Sequence, residues 1–113
     1  MGGGRPNIKV ECQTMILEIA QIDVKPGLER EFEAAVAKAA PLFRRAKGCS
    51  GMELQRSHEK PGRYRLFVKW ETLENHTRDF RGSEDFQAWR KLVGHCFEAA
   101  PEVEHTSVAV KGF

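Results

Sequence analysis

The chain has 113 residues, of which 41% are hydrophobic and 30% charged, and these values fit one globular domain. A net charge of +2, with basic residues scattered among acidic ones, argues against a nucleic-acid or membrane-surface partner. No apolar run approaches the roughly 20 residues that span a bilayer, and the N-terminus lacks the apolar centre of a signal peptide, so we expect a cytoplasmic protein.

Residues 1–13 are predicted to form a flexible tail, and residues 14–113 the folded domain. The tail is rich in glycine and contains Pro6, which resist regular structure. The first strand is predicted from about Thr14 to Val24, and apolar residues occupy both of its faces. Lys25-Pro26-Gly27 ends this strand and precedes a helix.

The helix from Leu28 to about Lys47 is the clearest predicted element. Its apolar residues recur at helical spacing and form one stripe: Leu28, Phe32, Ala35, Val36, Ala39, Leu42 and Phe43. Pro41 predicts a kink or a break near residues 37–40, because proline lacks the backbone donor and crowds the preceding turn. Gly48 is a suitable stop.

The residue pattern in the second half of the chain predicts a hairpin, two short helices and a last strand. The successive elements are a strand Cys49–Ser57, a turn His58–Gly62, a strand Arg63–Glu71, a helix capped by Thr72 and running to Phe80, a helix capped by Ser83, and a strand Val103–Val110. The order is β-α-β-β-α-β, which is typical of an α+β ferredoxin-like fold with a four-stranded antiparallel sheet. Both helices then cover one sheet face, so the apolar residues on the other face predict a homodimer through the sheet faces.

From Met15 onward the chain resembles the antibiotic biosynthesis monooxygenase (ABM) family. The matching segments, in chain order, are Val24-Lys25-Pro26-Gly27, Phe32, Gly48-Cys49-Ser50-Gly51-Met52-Glu53-Leu54, Phe67-Val68-Lys69-Trp70-Glu71-Thr72-Leu73-Glu74-Asn75-His76 and Ser83-Glu84-Asp85-Phe86. The resemblance implies a dimeric α/β barrel with a pocket between each sheet and its helices. It also implies a cofactor-independent monooxygenase acting on a small aromatic, phenolic or quinol substrate. A non-catalytic dimeric module that binds a small hydrophobic ligand is the alternative, and haem binding is a third hypothesis.

Trp70 and His76 are the predicted catalytic residues. Trp70 matches the family tryptophan, and it either stacks an aromatic substrate or is a core residue whose indole N–H needs a partner. His76 either takes part in acid–base chemistry near neutral pH or is a surface or capping residue of its helix.

Four residues of the two helical segments are predicted to bind substrate. Arg90 is either an oxyanion-stabilising group or a solvated surface charge. Phe80, Phe86 and Trp89 are expected to shape the pocket wall, although their helical spacing also suits a core.

Two departures from the family pattern weigh against two reactions of its members, polyketide oxidation and haem degradation. Leu66 stands where the polyketide-oxidising branch has an asparagine, and Ala20 appears to replace an asparagine of the haem-degrading branch. His95 is a haem-ligand candidate only by proximity. No cofactor is expected. No metal is expected either, since neighbouring His95 and Cys96 on a helix would point about 100° apart. The three cysteines are expected to be reduced thiols.

Overall fold

Four antiparallel strands and two main helices make up the part of the chain that the computed structural model describes, residues 15–113. The predicted tail therefore lies outside the described residues. The elements are β1 (Ile16–Asp23), α1 (Glu29–Arg44), β2 (Cys49–Arg56), β3 (Arg63–Trp70), a π-helix (Asn75–Phe80), α2 (Glu84–Val93), a 3-10 turn (Gly94–Cys96) and β4 (Glu102–Thr106). None of the helices in this range is long and apolar enough to cross a membrane.

The sheet has the strand order β2-β3-β1-β4, and the predicted ferredoxin-like fold is confirmed. Because side chains alternate along a strand, every second residue of β1 and β3 faces the helices. On β1 these are Glu18, Ala20 and Ile22, and they are buried. The inward residues of β3 and the apolar stripe of α1 complete the core: Tyr64, Leu66, Val68, Trp70, Phe32, Val36, Ala39 and Phe43.

Pro41 does not interrupt α1, so the predicted break is wrong. The helix continues to Arg44, and the backbone N–H of Arg45 donates to the Pro41 carbonyl at 3.2 Å. Pro41 lies in the last turn, where little helix remains to be lost. Its missing N–H therefore removes one hydrogen bond near a terminus that already has unpaired groups.

The predicted short helix after β3 is a π-helix with a well-fixed start. Thr72 Oγ1 accepts from the backbone N–H of Asn75 at 3.2 Å, and Oδ1 of Asn75 accepts from the N–H of Thr72 at 3.1 Å. Gly48 allows this arrangement, because a Cβ there would lie 2.1 Å from Oδ1 of Asn75. The wide turn, in which Arg81 N–H donates to the His76 carbonyl at 3.1 Å, is often found at functional sites.

The last strand is shorter than predicted and its outward face is polar. It ends at Thr106, which pairs with Leu17, because β1 offers hardly any further residues to pair with. Val108 and Val110 lie beyond the strand and are exposed. The apolar part of the open sheet face is therefore carried by β1 and β3 alone, through the half-buried Leu17, Ile19 and Phe67.

Candidate functional site

A cavity of about 690 Å³ lies between the sheet and α2, where the family resemblance implied a pocket. Its walls come from all of the strands except β2, from the π-helix and from α2 and the segment that follows it. The lining residues are Glu18, Ala20, Ile22, Leu66, His76, Arg81, Phe86, Gln87, Trp89, Arg90, Lys91, Gly94, Phe97, Ala100, Pro101 and Val103. Apolar walls with a few polar groups are typical of a site for a small organic ligand.

Glu18 is a buried carboxyl group in this wall, with 5% of its surface exposed. The indole Nε1–H of Trp70 donates to Oε1 of Glu18 at 2.9 Å, and Nε2 of His76 lies 3.4 Å from the same oxygen. Burial raises the pKa of Glu18 to about 7, although the Trp70 hydrogen bond and the charge of Arg81 act in the opposite direction. Near neutral pH this carboxyl group therefore occurs both with and without its proton.

His76 is buried, with 3% exposed, so its interpretation as a surface or capping residue is wrong. Its Nδ1 lies 2.7 Å from Nε2 of His105 on β4. Burial lowers the pKa of His76 to about 4, and the charges of Arg81 and His105 act in the same direction. His76 is consequently neutral at neutral pH, and its contact with Glu18 is a hydrogen-bonding contact rather than an ion pair.

The four side chains form one line of polar contacts from Trp70 through Glu18 and His76 to His105. A neutral imidazole has one donor and one acceptor nitrogen, so either tautomer of His76 can serve. With Nε2 protonated it donates to the Glu18 carboxylate and accepts from His105. With Nδ1 protonated it donates to His105 and accepts from a protonated Glu18. The arrangement can therefore receive a proton at Glu18 without leaving a buried charge unpaired.

The other predicted site residues divide into two groups. Trp89, Phe86 and Arg90 line the cavity, and the Arg90 guanidinium lies 5.9 Å from the centre of the Phe86 ring. Trp70 and Phe80 do not line it. Trp70 is completely buried behind His76, with its ring stacked on the imidazole at 5.2 Å and 16° between planes, and Phe80 packs beside that stack.

Sequence reasoning missed Glu18, His105 and Arg81. A charged residue in phase with Ala20 and Ile22 was the available signal for Glu18, but both faces of the first strand are apolar, so the inward face was ambiguous. His105 becomes part of the site only through the register that pairs it with Glu18. Arg81 lines the cavity just after the π-helix.

His95 lies outside this cavity. Its Nε2 contacts the Glu31 carboxylate on α1, and Sγ of Cys96 is 3.5 Å from the same nitrogen. The prediction that His95 and Cys96 point apart is wrong, because their side-chain atoms approach each other to 3.5 Å in the 3-10 turn Gly94–Cys96. A haem ligand in the cavity cannot come from His95 in this position.

Comparisons with known proteins agree with this architecture. A sequence model of the family "Antibiotic biosynthesis monooxygenase" matches residues 15–92. The uncharacterized protein YczJ of Bacillus subtilis (strain 168) is 43% identical over 91 residues, covering 80% of this chain and 96% of YczJ.

Solved structures give the same result. A Bordetella bronchiseptica protein, whose assignment as an antibiotic biosynthesis monooxygenase is itself provisional, is 58% identical with a TM-score of 0.85, covering 87% of this chain and 100% of that one. SnoaB, a cofactor-independent oxygenase from Streptomyces nogalater, shares the fold with a TM-score of 0.75 at 18% identity, covering 88% of this chain and 97% of SnoaB. The family model matches most of the chain, and the fold and the cavity agree with it. The chain therefore belongs to the antibiotic biosynthesis monooxygenase family.

Proposed function

We propose that this protein is a cofactor-independent monooxygenase that oxidises a small phenolic or quinol aromatic substrate. The observation that carries the proposal is the buried Glu18–His76 pair in the wall of a largely apolar cavity. A general base works best when its pKa lies near the working pH, and burial brings Glu18 into that range. Family membership supports an oxygenase, but fold alone does not assign a reaction.

The reaction begins with removal of the phenolic proton. In this scheme the ring lies between the sheet and the aromatic side chains of α2 that line the cavity, and Glu18 accepts the proton while His76 keeps a hydrogen bond to it. The electron-rich phenolate then transfers an electron to O₂, and the two radicals combine at a ring carbon. For a quinol, loss of water from the resulting hydroperoxide leaves a hydroxyquinone, so that one oxygen atom enters the product and the other leaves as water. All four electrons come from the substrate.

Two guanidinium groups line the same cavity and suit the anions that this reaction forms. Arg81 and Arg90 both contribute to the wall, and the charge of Arg81 already acts on Glu18 and His76. Cations fixed in a partly dry site stabilise developing negative charge more than they would in water. We propose that the two guanidinium groups stabilise the phenolate and the anion formed when O₂ accepts an electron.

A binding module without turnover would use the same cavity walls. Such a module needs an apolar pocket but has no need for an ionisable carboxyl group whose burial is costly. Ligand-dependent thermal stabilisation without oxygen uptake would be its signature.

Aerobic turnover of a panel of quinols and polycyclic phenols tests the proposal. We expect substrate-dependent oxygen uptake by the untagged, metal-free protein, and one atom of ¹⁸O in the product when ¹⁸O₂ is supplied. His76→Ala should lower the rate of oxygen uptake, whereas His58→Ala, the matched control in the exposed β2–β3 turn, should leave it unchanged. Thermal stabilisation by panel members with no oxygen uptake would instead assign the binding function.

The open sheet face supports a proposal about assembly. Leu17, Ile19 and Phe67 lie side by side on β1 and β3, and Ile19 pairs with Phe67 in the sheet register. Charged and polar residues surround them, as at the rim of a protein interface. We propose that two copies of the chain pack through this face.

Phe67→Glu is expected to dissociate the dimer, because it would place two charges in an apolar contact. Wild type should sediment with twice the chain mass of 12.8 kDa, and the variant with the mass of one chain. Val108→Glu makes the same chemical change at an exposed site outside the sheet and should stay dimeric. A monomeric wild type, or a dimeric Phe67→Glu protein, would contradict this assembly.

A further inference from the structure

A second cluster of reactive side chains lies outside the proposed oxygenase site. Glu31 on α1 and His95 and Cys96 in the 3-10 turn place one donor atom each within 4.8 Å of one another. Within residues 15–113 no other three His, Cys, Asp or Glu side chains converge in this way. A carboxylate, an imidazole and a thiolate are all ligands of zinc-class cations.

The spacing of the donors suits a tetrahedral ion. Zn–N bonds of roughly 2.0–2.1 Å and Zn–S bonds of about 2.3 Å at a tetrahedral angle separate the nitrogen and sulfur by about 3.5 Å. Nε2 of His95 and Sγ of Cys96 are 3.5 Å apart. The Glu31 carboxylate already contacts Nε2 of His95, and its exposed side chain can adjust to let an ion in between.

The backbone holds the His95–Cys96 turn in place without an ion. The N–H of Lys25 donates to the Cys96 carbonyl at 2.8 Å, and the N–H of Glu98 donates to the Asp23 carbonyl at 2.8 Å. A bridge between Val24 and Phe97 joins the same two segments. The end of β1 therefore fixes two ligands, and α1, which starts soon after it, supplies the third.

The charges also favour a divalent cation. A bound cation would displace the proton of the Cys96 thiol, because metal binding requires the thiolate. The carboxylate and thiolate together would then balance the charge of the ion.

We propose that Glu31, His95 and Cys96 bind a zinc-class divalent cation, with the fourth position open to water. The ion would join α1 to the segment after α2, next to Gly94 and Phe97 of the cavity wall. It would thus stabilise the wall from outside, with no part in the oxygenation.

Titration of the untagged wild-type protein with Co²⁺ alone tests the site, because a cysteine ligand produces a thiolate-to-cobalt charge-transfer band. We expect this band at one equivalent, its loss on adding Zn²⁺, and a rise in the unfolding temperature with Zn²⁺. Removing a ligand should weaken Zn²⁺ binding by at least 10- to 100-fold, because the loss of a residue that only hydrogen-bonds a metal ligand already has an effect of that size.

His95→Gln and Glu31→Gln are the decisive variants, because both side chains are about half exposed and their replacement should not impair folding. Cys96→Ser should abolish the charge-transfer band. Cys12→Ser, Cys49→Ser and Glu98→Gln are the matched controls and should bind like wild type. No band in wild type, or a band that survives Cys96→Ser and disappears in a cysteine control, would overturn the proposal.

Discussion

Glu18→Gln is expected to lower kcat on the best quinol substrate by about 10²- to 10⁴-fold, the range that a positioned general base contributes. Glutamine keeps the shape of the side chain and its hydrogen bond from Trp70, but it cannot accept the phenolic proton. Glu59→Gln, which makes the same replacement in the exposed β2–β3 turn, should retain the wild-type rate. Equal rates for Glu18→Gln and wild type would contradict the assignment of Glu18 as the base.

The pH dependence of both proteins should follow from the pKa of Glu18. In wild type, kcat/KM should rise as Glu18 ionises around pH 7, and the residual rate of Glu18→Gln should lack this step. Stability should change in the opposite direction. The pKa of Glu18 is raised on folding from 4.5 to about 7, so the native state binds more protons and loses stability as pH rises through this window.

The lowered pKa of His76 has the reverse effect on stability. Its pKa falls on folding from 6.5 to about 4, so the unfolded state binds more protons and the native state gains stability as pH rises between these values. The difference between Glu18→Gln and wild type isolates the Glu18 contribution. Urea unfolding should therefore show Glu18→Gln gaining stability relative to wild type between pH 5 and pH 8.

Trp70→Ala is expected to reduce the free energy of unfolding by about 3–5 kcal/mol, as for other large buried aromatic residues. The ring is completely buried, and it stacks on His76 and packs against Phe80. Its removal would leave a void, and the Glu18 carboxyl group would lose the indole N–H that donates to it. Urea unfolding measures this loss directly, and a loss below about 1 kcal/mol would show that the stack is not a structural element.

Trp70→Phe separates the structural role of this residue from its role in positioning Glu18. Phenylalanine fills most of the space but cannot donate to the carboxylate, and that hydrogen bond lowers the pKa of Glu18. The rise of kcat/KM should therefore shift to higher pH in Trp70→Phe, whereas a residue that only packs would leave the pH profile in place. That shift would identify Trp70 as a positioning residue that acts through Glu18.

The fold could be predicted from the sequence because its signals are local. The apolar stripe of α1, the caps at Thr72 and Ser83 and the alternation along β3 each fix one element, and their order fixes the topology. The end of β4 could not be predicted, because β4 can pair only as far as β1 extends. The predicted break near Pro41 was wrong because this proline lies in the last turn of α1, where its missing N–H removes only one hydrogen bond.

The candidate site was less accessible to sequence reasoning because it depends on register and tertiary contact. His76 and Trp70 were found through the family pattern, but their partner Glu18 lies more than 50 residues away from both along the chain. Nothing in the local sequence places His105 opposite Glu18. Likewise, the 3.5 Å approach of Cys96 to His95 depends on the conformations of the two side chains, which adjacent positions in the sequence do not predict.

Proton transfer from a bound phenol to Glu18 is the central claim, and it can be measured without oxygen. The panel phenol that stabilises the protein most should be bound anaerobically at pH 8, where its phenolate absorbs at longer wavelength than the neutral phenol. We expect the phenolate spectrum with wild type and the neutral-phenol spectrum with Glu18→Gln, when both proteins are saturated. A neutral phenol in the wild-type complex, or the same phenolate fraction in both proteins, would contradict the account.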